Sequence, residues 1–589
     1  MASRETKKEK PQDARGALRR LAAYLMDYRA ALAAILLLAI AGNILSLLGP
    51  SLAGRAISAA GAGRGQVDFA VVYRSAGAML ACCLGSSLLT VGVNVGMMRT
   101  GRLIAKKMRG DVFDKLLELP VSYFDQNQAG DIISRVSYDV DVVATCISTD
   151  LAQILTSIVT VAGSFFMMAV ISPALTGVTL VTIPLAVWYT RRMNRVTKPL
   201  FARRSAAYGA MNSFVEEKFS GHRTIQGYAR EDWSAQAFGD INRDAAGAYR
   251  EATRAAKSMG PTVGFINNLG LALVGTLGSL LYMGGLIDLG KISSFVLHSR
   301  KFSGPINEIA NVTGEIYSAL AAAERVFRLL DAPGETADGT EAVPLARVQG
   351  EVELEDVTFG YAPDRPVLRH VSLSAQPGRL VAIVGPTGAG KTTIINLLMR
   401  FYDVQEGRCR VDGGDMYGYT RESLRRAYAM VLQDTWLFEG TVYENIAYGR
   451  EDASRQEVIA AAKAARVHAY VMQLPQGYDT VIREDGGNLS KGQKQLLTIA
   501  RAMLYDAKML ILDEATSNVD TATERQIQTA MRELMAGKTC FVIAHRLSTI
   551  QNADLILVVD RGQVVEQGTH RALMARQGAY YRLYAAQFE

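Results

Sequence analysis

Long runs without a charged residue are concentrated before about residue 320, and beyond that point apolar and charged positions alternate as in a water-exposed domain. Ala30–Gly54 carries no charge and is bracketed by Arg29 and Arg55; Ser75–Met98 repeats this between Arg74 and Arg99. Each matches the roughly 20 apolar residues that cross a bilayer core. Leu151–Thr190 holds no Asp, Glu, Lys or Arg, long enough for two spans, and the "ISPA" around Pro173 predicts the tight turn of a helical hairpin. A fifth span fits Ser258–Ile287. A sixth runs from about Ile292 to beyond Ile316 and carries Arg300, Lys301, Glu308 and Glu315. Charges on a spanning helix face a bundle interior or an aqueous cavity, or else sit at the membrane edge. Both positions stay open for Arg300 and Lys301, while Glu315 fits the edge.

The polar stretches 99–150 and 191–257 are long and rich in Arg and Lys, whereas the alternate connections near Arg55–Arg74, Pro173 and Asp288 are short. That asymmetry places the long loops, both termini and the second half in the cytosol. The long loops are full of helix formers and lack Gly/Pro-rich character, so they read as helices running well past the bilayer. The polar start "MASRETKKEKPQDARGALRR" lacks the apolar core of a secretory signal, and Arg19-Arg20 fits an amphipathic lead-in helix.

At 589 residues the chain exceeds one hydrophobic core, and at least two domains are expected. The net charge of +7 would suit a nucleic-acid binder, but the basic residues crowd the loops beside apolar runs, which membrane topology explains; no nucleic-acid partner is expected. The five cysteines form neither a CxxC pair nor zinc-ligand spacing and read as free thiols in a reducing compartment.

"RLVAIVGPTGAGKTTIINLLMRFY" is an apolar strand, a glycine loop and an apolar-periodic helix, the setting in which GxxxxGK[ST] binds nucleotide phosphates. The motif residues are Gly385, Gly390, Lys391 and Thr392, with Thr387, Gly388 and Thr393 in the same phosphate-cradling stretch. Backbone amides and the helix N-terminus hold ATP phosphates, Lys391 adds charge at the outer ones, and Thr392 offers an oxygen to Mg²⁺. In "MLILDEATS", Met509–Leu512 reads as a buried parallel strand delivering Asp513 to the magnesium shell and Glu514 beside the attacking water.

With "NLSKGQKQ" in place, containing Leu489, Ser490, Gly492 and Gln493, the chain resembles an ATP-binding-cassette (ABC) exporter half-transporter over nearly its full length. The resemblance implies a six-helix membrane bundle followed by an α/β P-loop nucleotide-binding domain. The expected division is 1–29 tail and lead-in helix, 30–330 transmembrane domain, 331–349 linker and 350–589 nucleotide-binding domain. It also implies that Ser490, Gly492 and Gln493 serve the ATP site of a second chain, since one copy of each motif means one cassette. Tyr361 in "FGYAPDRPVL" matches the aromatic that stacks on adenine, though alone it reads equally as a strand-edge tyrosine. Gln433 in "VLQDTWLF" matches the glutamine linking magnesium to the membrane domain, Asp520 in "SNVD" the cross-dimer loop, and His545 in "VIAHRLSTI" the switch histidine that reads the γ-phosphate. Lys491 stands where the family commonly has glycine, and a solvent-facing ammonium is expected there.

"LPVSYFDQNQAGDIISRVSYDVD" and "SFVEEKFSGHRTIQGYARED" resemble the two intracellular loops of exporters, with Phe124–Gly130 expected as the first short coupling helix. The implied activity is ATP-driven export of hydrophobic or amphipathic compounds, drug or lipid, by alternating access across a bacterial cytoplasmic membrane. A dedicated lipid flippase is the main alternative and a peptide exporter a further one; the charge-free runs argue against a soluble ABC ATPase, and fusion of membrane domain and cassette argues against an importer. The partner is a second half-transporter, a heterodimer favoured over a homodimer. Asn267, Asn268, Arg300 and Glu308 are the candidate cavity-lining polar residues.

Overall fold

In the computed structural model the described residues are 13–61, 67–362, 364–433, 435–483, 489–513, 520–544 and 547–588. They fall into two compact units, one comprising the chain up to Leu119 together with Asn127–Pro333, the other Pro120–Gln126 together with the chain from Gly334 onward.

The first unit is entirely helical. A lead-in helix α1 (Ala14–Met26) precedes α2 (Arg29–Ala60), α3 (Phe69–Glu118), the short α4 (Val121–Gln126, which belongs to the second unit), α5 (Ala129–Ile171), α6 (Pro173–Ser220), the short α7 (His222–Gly227), α8 (Glu231–Met283) and α9 (Leu289–Leu330). Among the described residues α2, α3, α5 and α8 are long and apolar enough to cross a membrane. In α6 the charge-free part runs from Pro173 to Thr190, and α9 is diluted by the four charges noted above. The 50 residues of α3 and 53 of α8 extend about 75–80 Å, more than twice a bilayer core of ~30 Å, which is why the polar loops are helical continuations.

Local chemistry fixes the helix ends. Asp68 and Asp288 cap α3 and α9 by accepting from Val71 N–H and Lys291 N–H. Ser172 is extended, accepts from Leu175 N–H, and hands over to Pro173 at the first turn of α6, so one residue separates α5 from α6. The short helix expected over Phe124–Gly130 is instead Val121–Gln126: Leu119 is extended, as a residue before proline must be, so the helix starts after Pro120 and stops before Asn127.

Helices pack as α2 on α3, α6 on α8, and α9 on both α2 and α5. Outward faces are apolar, as at Leu84, Leu88 and Val170, the reverse of a soluble domain and the requirement of a lipid solvent. Inside, Asp139 is almost fully buried on a π-helical turn of α5 and takes a bidentate pair from Arg325 of α9, at 2.9 Å from Nε and 2.6 Å from Nη2. At the other end of the chain's course, Arg20 of α1 pairs with Asp331 at 2.5 Å and lies 4.3 Å over the Phe327 ring, and Tyr24 donates to Asp111 at 2.6 Å.

The second unit is α/β. Strands β1 (Val352–Phe359), β2 (Leu368–Ala375) and β4 (Glu406–Val411) make an antiparallel sheet in the order β2-β1-β4, extended by a short strand at Gly414–Asp415. The main sheet has the order β9-β8-β3-β7-β6-β5, from β3 (Leu380–Val384), β5 (Tyr428–Val431), β6 (Met509–Asp513), β7 (Thr539–Ile543), β8 (Leu555–Asp560) and β9 (Gln563–Gly568). It is parallel except at the β8–β9 edge. Its central strands are buried on both faces, which explains their continuous apolar runs. The stretch after Gly334 is tied to this unit: Glu335 pairs with Arg425 at 2.5 Å, Asp338 accepts from Arg421 N–H at 3.0 Å, and Val343 bridges Tyr419.

Candidate ATP-binding site

Parallel register brings the chemistry to one edge. Ile383 of β3, Ile543 of β7 and Asp513 of β6 lie side by side, so the segments leaving these strands share the carboxyl end of the sheet, where open α/β sheets bind ligands. Gly385 leaves β3 against β8; a Cβ there would sit 2.0 Å from Val559 O. Gly390 takes φ +104° as the N-cap of α10 (Lys391–Leu398), a left-handed conformation that suits glycine. The loop therefore leads directly into the N-terminus of α10, where the unpaired amides of the first turn make an anion cradle.

Lys391 is half-buried, and its Nζ donates to Gly385 O at 2.7 Å and Pro386 O at 3.0 Å. Burial lowers its pKa, and the Asp513 carboxylate opposes this. Thr392 is exposed at the second position of α10. Thr393 behaves differently: it is buried, and its Oγ1 lies 3.2 Å from Tyr361 Oη. Asn396 also donates to Tyr361 Oη, at 3.1 Å, and the Tyr361 ring meets Phe359 and Tyr402 edge-on at 5.2 and 5.0 Å. One face of Tyr361 is thus held beside α10 while 45% of the residue remains exposed. The sequence reading missed Asn396 and Tyr402. Tyr402 also donates its hydroxyl to Asp125 of α4, which runs a chain of contacts from α4 to α10.

Ser490 and Gln493 form a capping box at α11 (Lys491–Tyr505): Ser490 Oγ accepts from Gln493 N–H at 3.3 Å, and Gln493 Oε1 accepts from Ser490 N–H at 2.8 Å. Gly492 is buried in the first turn and Lys491 is exposed. Asp520 caps α12 (Thr521–Met535) by accepting from Thr523 N–H at 2.9 Å, which holds its carboxyl below the usual range. Gln433 is exposed just beyond β5. Arg501 of α11, also missed in the sequence, ties down the segment that follows Gln433, donating to Asn445 O at 2.8 Å and Trp436 O at 3.2 Å. Glu514 and His545 lie outside the described residues, directly after Asp513 and Ala544 in the chain.

The chemistry of the described P-loop residues and Asp513 suits a nucleotide with magnesium. A glycine loop at a helix N-terminus with one lysine suits phosphates; the Thr392 hydroxyl and Asp513 carboxylate are hard oxygen donors of the kind magnesium takes alongside phosphate oxygens.

Residues 32–306 match the family model described as ABC transporter transmembrane region, and residues 368–517 the model described as ABC transporter. A fatty acid ABC transporter ATP-binding/permease protein of Mycobacterium bovis is 44% identical over 88% of this chain and 82% of its own length. The chain belongs to the ABC exporters. An ATP-dependent lipid A-core flippase of Syntrophus aciditrophicus is 35% identical over 83% of this chain and 81% of its own. A solved bacterial Atm1-family ABC exporter with ATP bound superposes with a TM-score of 0.77 at 30% identity, covering 95% of this chain and 98% of that one. As an ABC exporter the protein is a multi-pass membrane ATPase that couples hydrolysis to transport, and exporters of this kind work as dimers of half-transporters.

Proposed function

We propose that this exporter moves a lipid-like amphiphile out of the cytosol across a bacterial cytoplasmic membrane, with six spans per chain and its N-terminus and ATP-binding domain in the cytosol. The observation that carries the reading is the pairing of an apolar helical unit with a phosphate cradle whose loop, helix N-terminus and Lys391 converge at the sheet edge beside Asp513. The lipid class is supported by relatives named for fatty acid and lipid A-core. Drug-like amphiphiles share the chemistry and are the second reading.

In this reading Tyr361 stacks on adenine, and the amides from Gly385 through Thr393, with Thr387 and Gly388 among them, hold the phosphates. Lys391 balances charge at the outer phosphates, where charge develops during transfer. Thr392, Asp513 and Gln433 hold magnesium, which when bound neutralises phosphate charge. Glu514 accepts the proton of the attacking water and His545 orients the γ-phosphate. Ser490, Gly492, Gln493 and Asp520 act across the dimer at the partner's nucleotide. A heterodimer is favoured over a homodimer.

The test is ATPase activity of the purified chain, with its partner where one exists, in phosphatidylethanolamine/phosphatidylglycerol vesicles. Oleate is expected to stimulate turnover more than the cationic dye Hoechst 33342. Stimulation by the dye alone would replace the lipid reading with the drug reading, and no ATP hydrolysis in either case would overturn both.

A further inference from the structure

A row of polar groups on α9 meets α2. Asp288 Oδ1 accepts from Ser58 at 3.0 Å, Ser294 donates to Pro50 O at 2.9 Å, His298 Nε2 lies 3.2 Å from Ser51 Oγ, and Lys301 Nζ lies 2.6 Å from both Ser46 O and Ser46 Oγ. Positions 294, 298 and 301 repeat at helical spacing, which keeps them on one face. The two backbones touch above them, since a Cβ on Gly290 would fall 2.0 Å from Gly54 O.

Pro50 lies inside α2 and is buried. Proline has no N–H, and the carbonyl that a residue at position 50 serves in an α-helix is that of residue 46. Ser46 O is therefore the acceptor that Pro50 leaves without its helical donor, and it is the carbonyl to which Lys301 donates. In hydrocarbon no water fills such a gap, and an unmatched carbonyl is costly. Among the described residues Lys301 makes no ion pair with a carboxylate, so its ammonium is matched by the Ser46 carbonyl and hydroxyl alone.

A lysine within a membrane span is by default read as a contact for cargo or for ions. We propose instead that Lys301 is a positioning residue: its ammonium replaces the backbone donor that Pro50 removes from α2, and so fixes the α2–α9 pairing. This goes beyond the function proposed above and holds whichever compound is moved.

The test is a double-mutant cycle in the full chain, reconstituted in phosphatidylethanolamine/phosphatidylglycerol vesicles, with Lys301→Met, Pro50→Ala and the double variant. Lys301→Met is expected to lower the midpoint of heat unfolding by about 3–6 °C. Pro50→Ala returns an N–H to Ser46 O, so on its own it should be nearly neutral. Adding it to Lys301→Met should restore the midpoint and bring oleate-stimulated ATPase to within about two-fold of the parent. Additive losses in the double variant would show that Lys301 does not stand in for the missing amide. A restored midpoint without restored stimulation would show that Lys301 touches cargo, which overturns the proposal equally. If the single variant does not accumulate, recovery of folded protein on adding Pro50→Ala is the same readout. Should oleate fail to stimulate the parent, the lipid reading fails, while the unfolding cycle still decides the role of Lys301.

Discussion

In the ATP-binding domain the charges that matter stand at the ends of elements, Asp513 after four fully buried apolar residues and Lys391 at the first position of α10. In the membrane unit they stand mid-helix, and groups on other helices match them: Asp139 by Arg325, Lys301 by Ser46, Glu308 by Ser157 at 3.3 Å. A strand end presents a charge to a site that a short local motif defines, and the sheet carries no penalty for it. A mid-helix charge that packing buries, whether between spans or in the helical extensions beyond them, has no such outlet, so its partner is a structural necessity. Substitutions should therefore remove chemistry without unfolding in the first region, and unfold before they reach chemistry in the second.

Glu514→Gln gives the largest expected effect and the sharpest form of that contrast. Turnover should fall by about 10²–10⁴-fold with ATP binding and heat stability kept, measured by phosphate release and nucleotide binding on one preparation. Equal loss of stability would erase the distinction between the regions. Arg325→Ala should act the other way: it strands the Asp139 carboxylate, nearly fully buried, and costs about 3 kcal/mol, seen as lost yield and a lower unfolding midpoint. A stable Arg325→Ala protein with impaired hydrolysis would mean that the pair serves coupling rather than architecture.

Tyr361→Ala should weaken ATP binding by about 5–10-fold, the worth of one aromatic stack. Thr393→Val, which removes only the hydroxyl that meets Tyr361 Oη, should give a smaller shift in the same direction. If Thr393→Val is the more damaging, the Thr393 hydroxyl touches phosphate directly and its buried position against Tyr361 is not the binding one.

How far the sequence alone carries depends on the span of each interaction. The P-loop, the Asp513 strand and the Pro173 hairpin were legible because each is a contiguous pattern with its own cause. Ser490 and Gln493 were legible only in part: the spacing of a serine and a glutamine three residues on is also a capping box, and the structure uses it as one. Tyr402 and Asn396 against Tyr361, Arg501 against Asn445, and Lys301 against Ser46 were not legible, since each joins residues 35 to 255 positions apart. In the membrane unit the polarity of Arg300 and Lys301 was visible, but not that Lys301 is tethered while Arg300 is exposed.

The smallest expected effect is a pH dependence. The Thr523 amide holds the exposed Asp520 carboxyl below its ordinary value, so its capping contribution is present above that value and is lost as pH falls through the lowered one. Heat-unfolding midpoints measured from neutral pH to about pH 3 should therefore fall slightly less for Asp520→Asn than for the parent. Identical profiles would remove Asp520 from the helix cap.

The central claim is that ATP turnover at the Gly385–Thr393 cradle drives movement through the helical unit. The most direct measurement is ATP-dependent transfer of a fluorescent fatty-acid analogue across proteoliposome bilayers by the full chain with its partner, compared with Glu514→Gln. Transfer is expected to require magnesium and ATP and to be absent in the variant. Transfer that proceeds equally in the variant, or vigorous hydrolysis by the parent with no amphiphile moved, would contradict it.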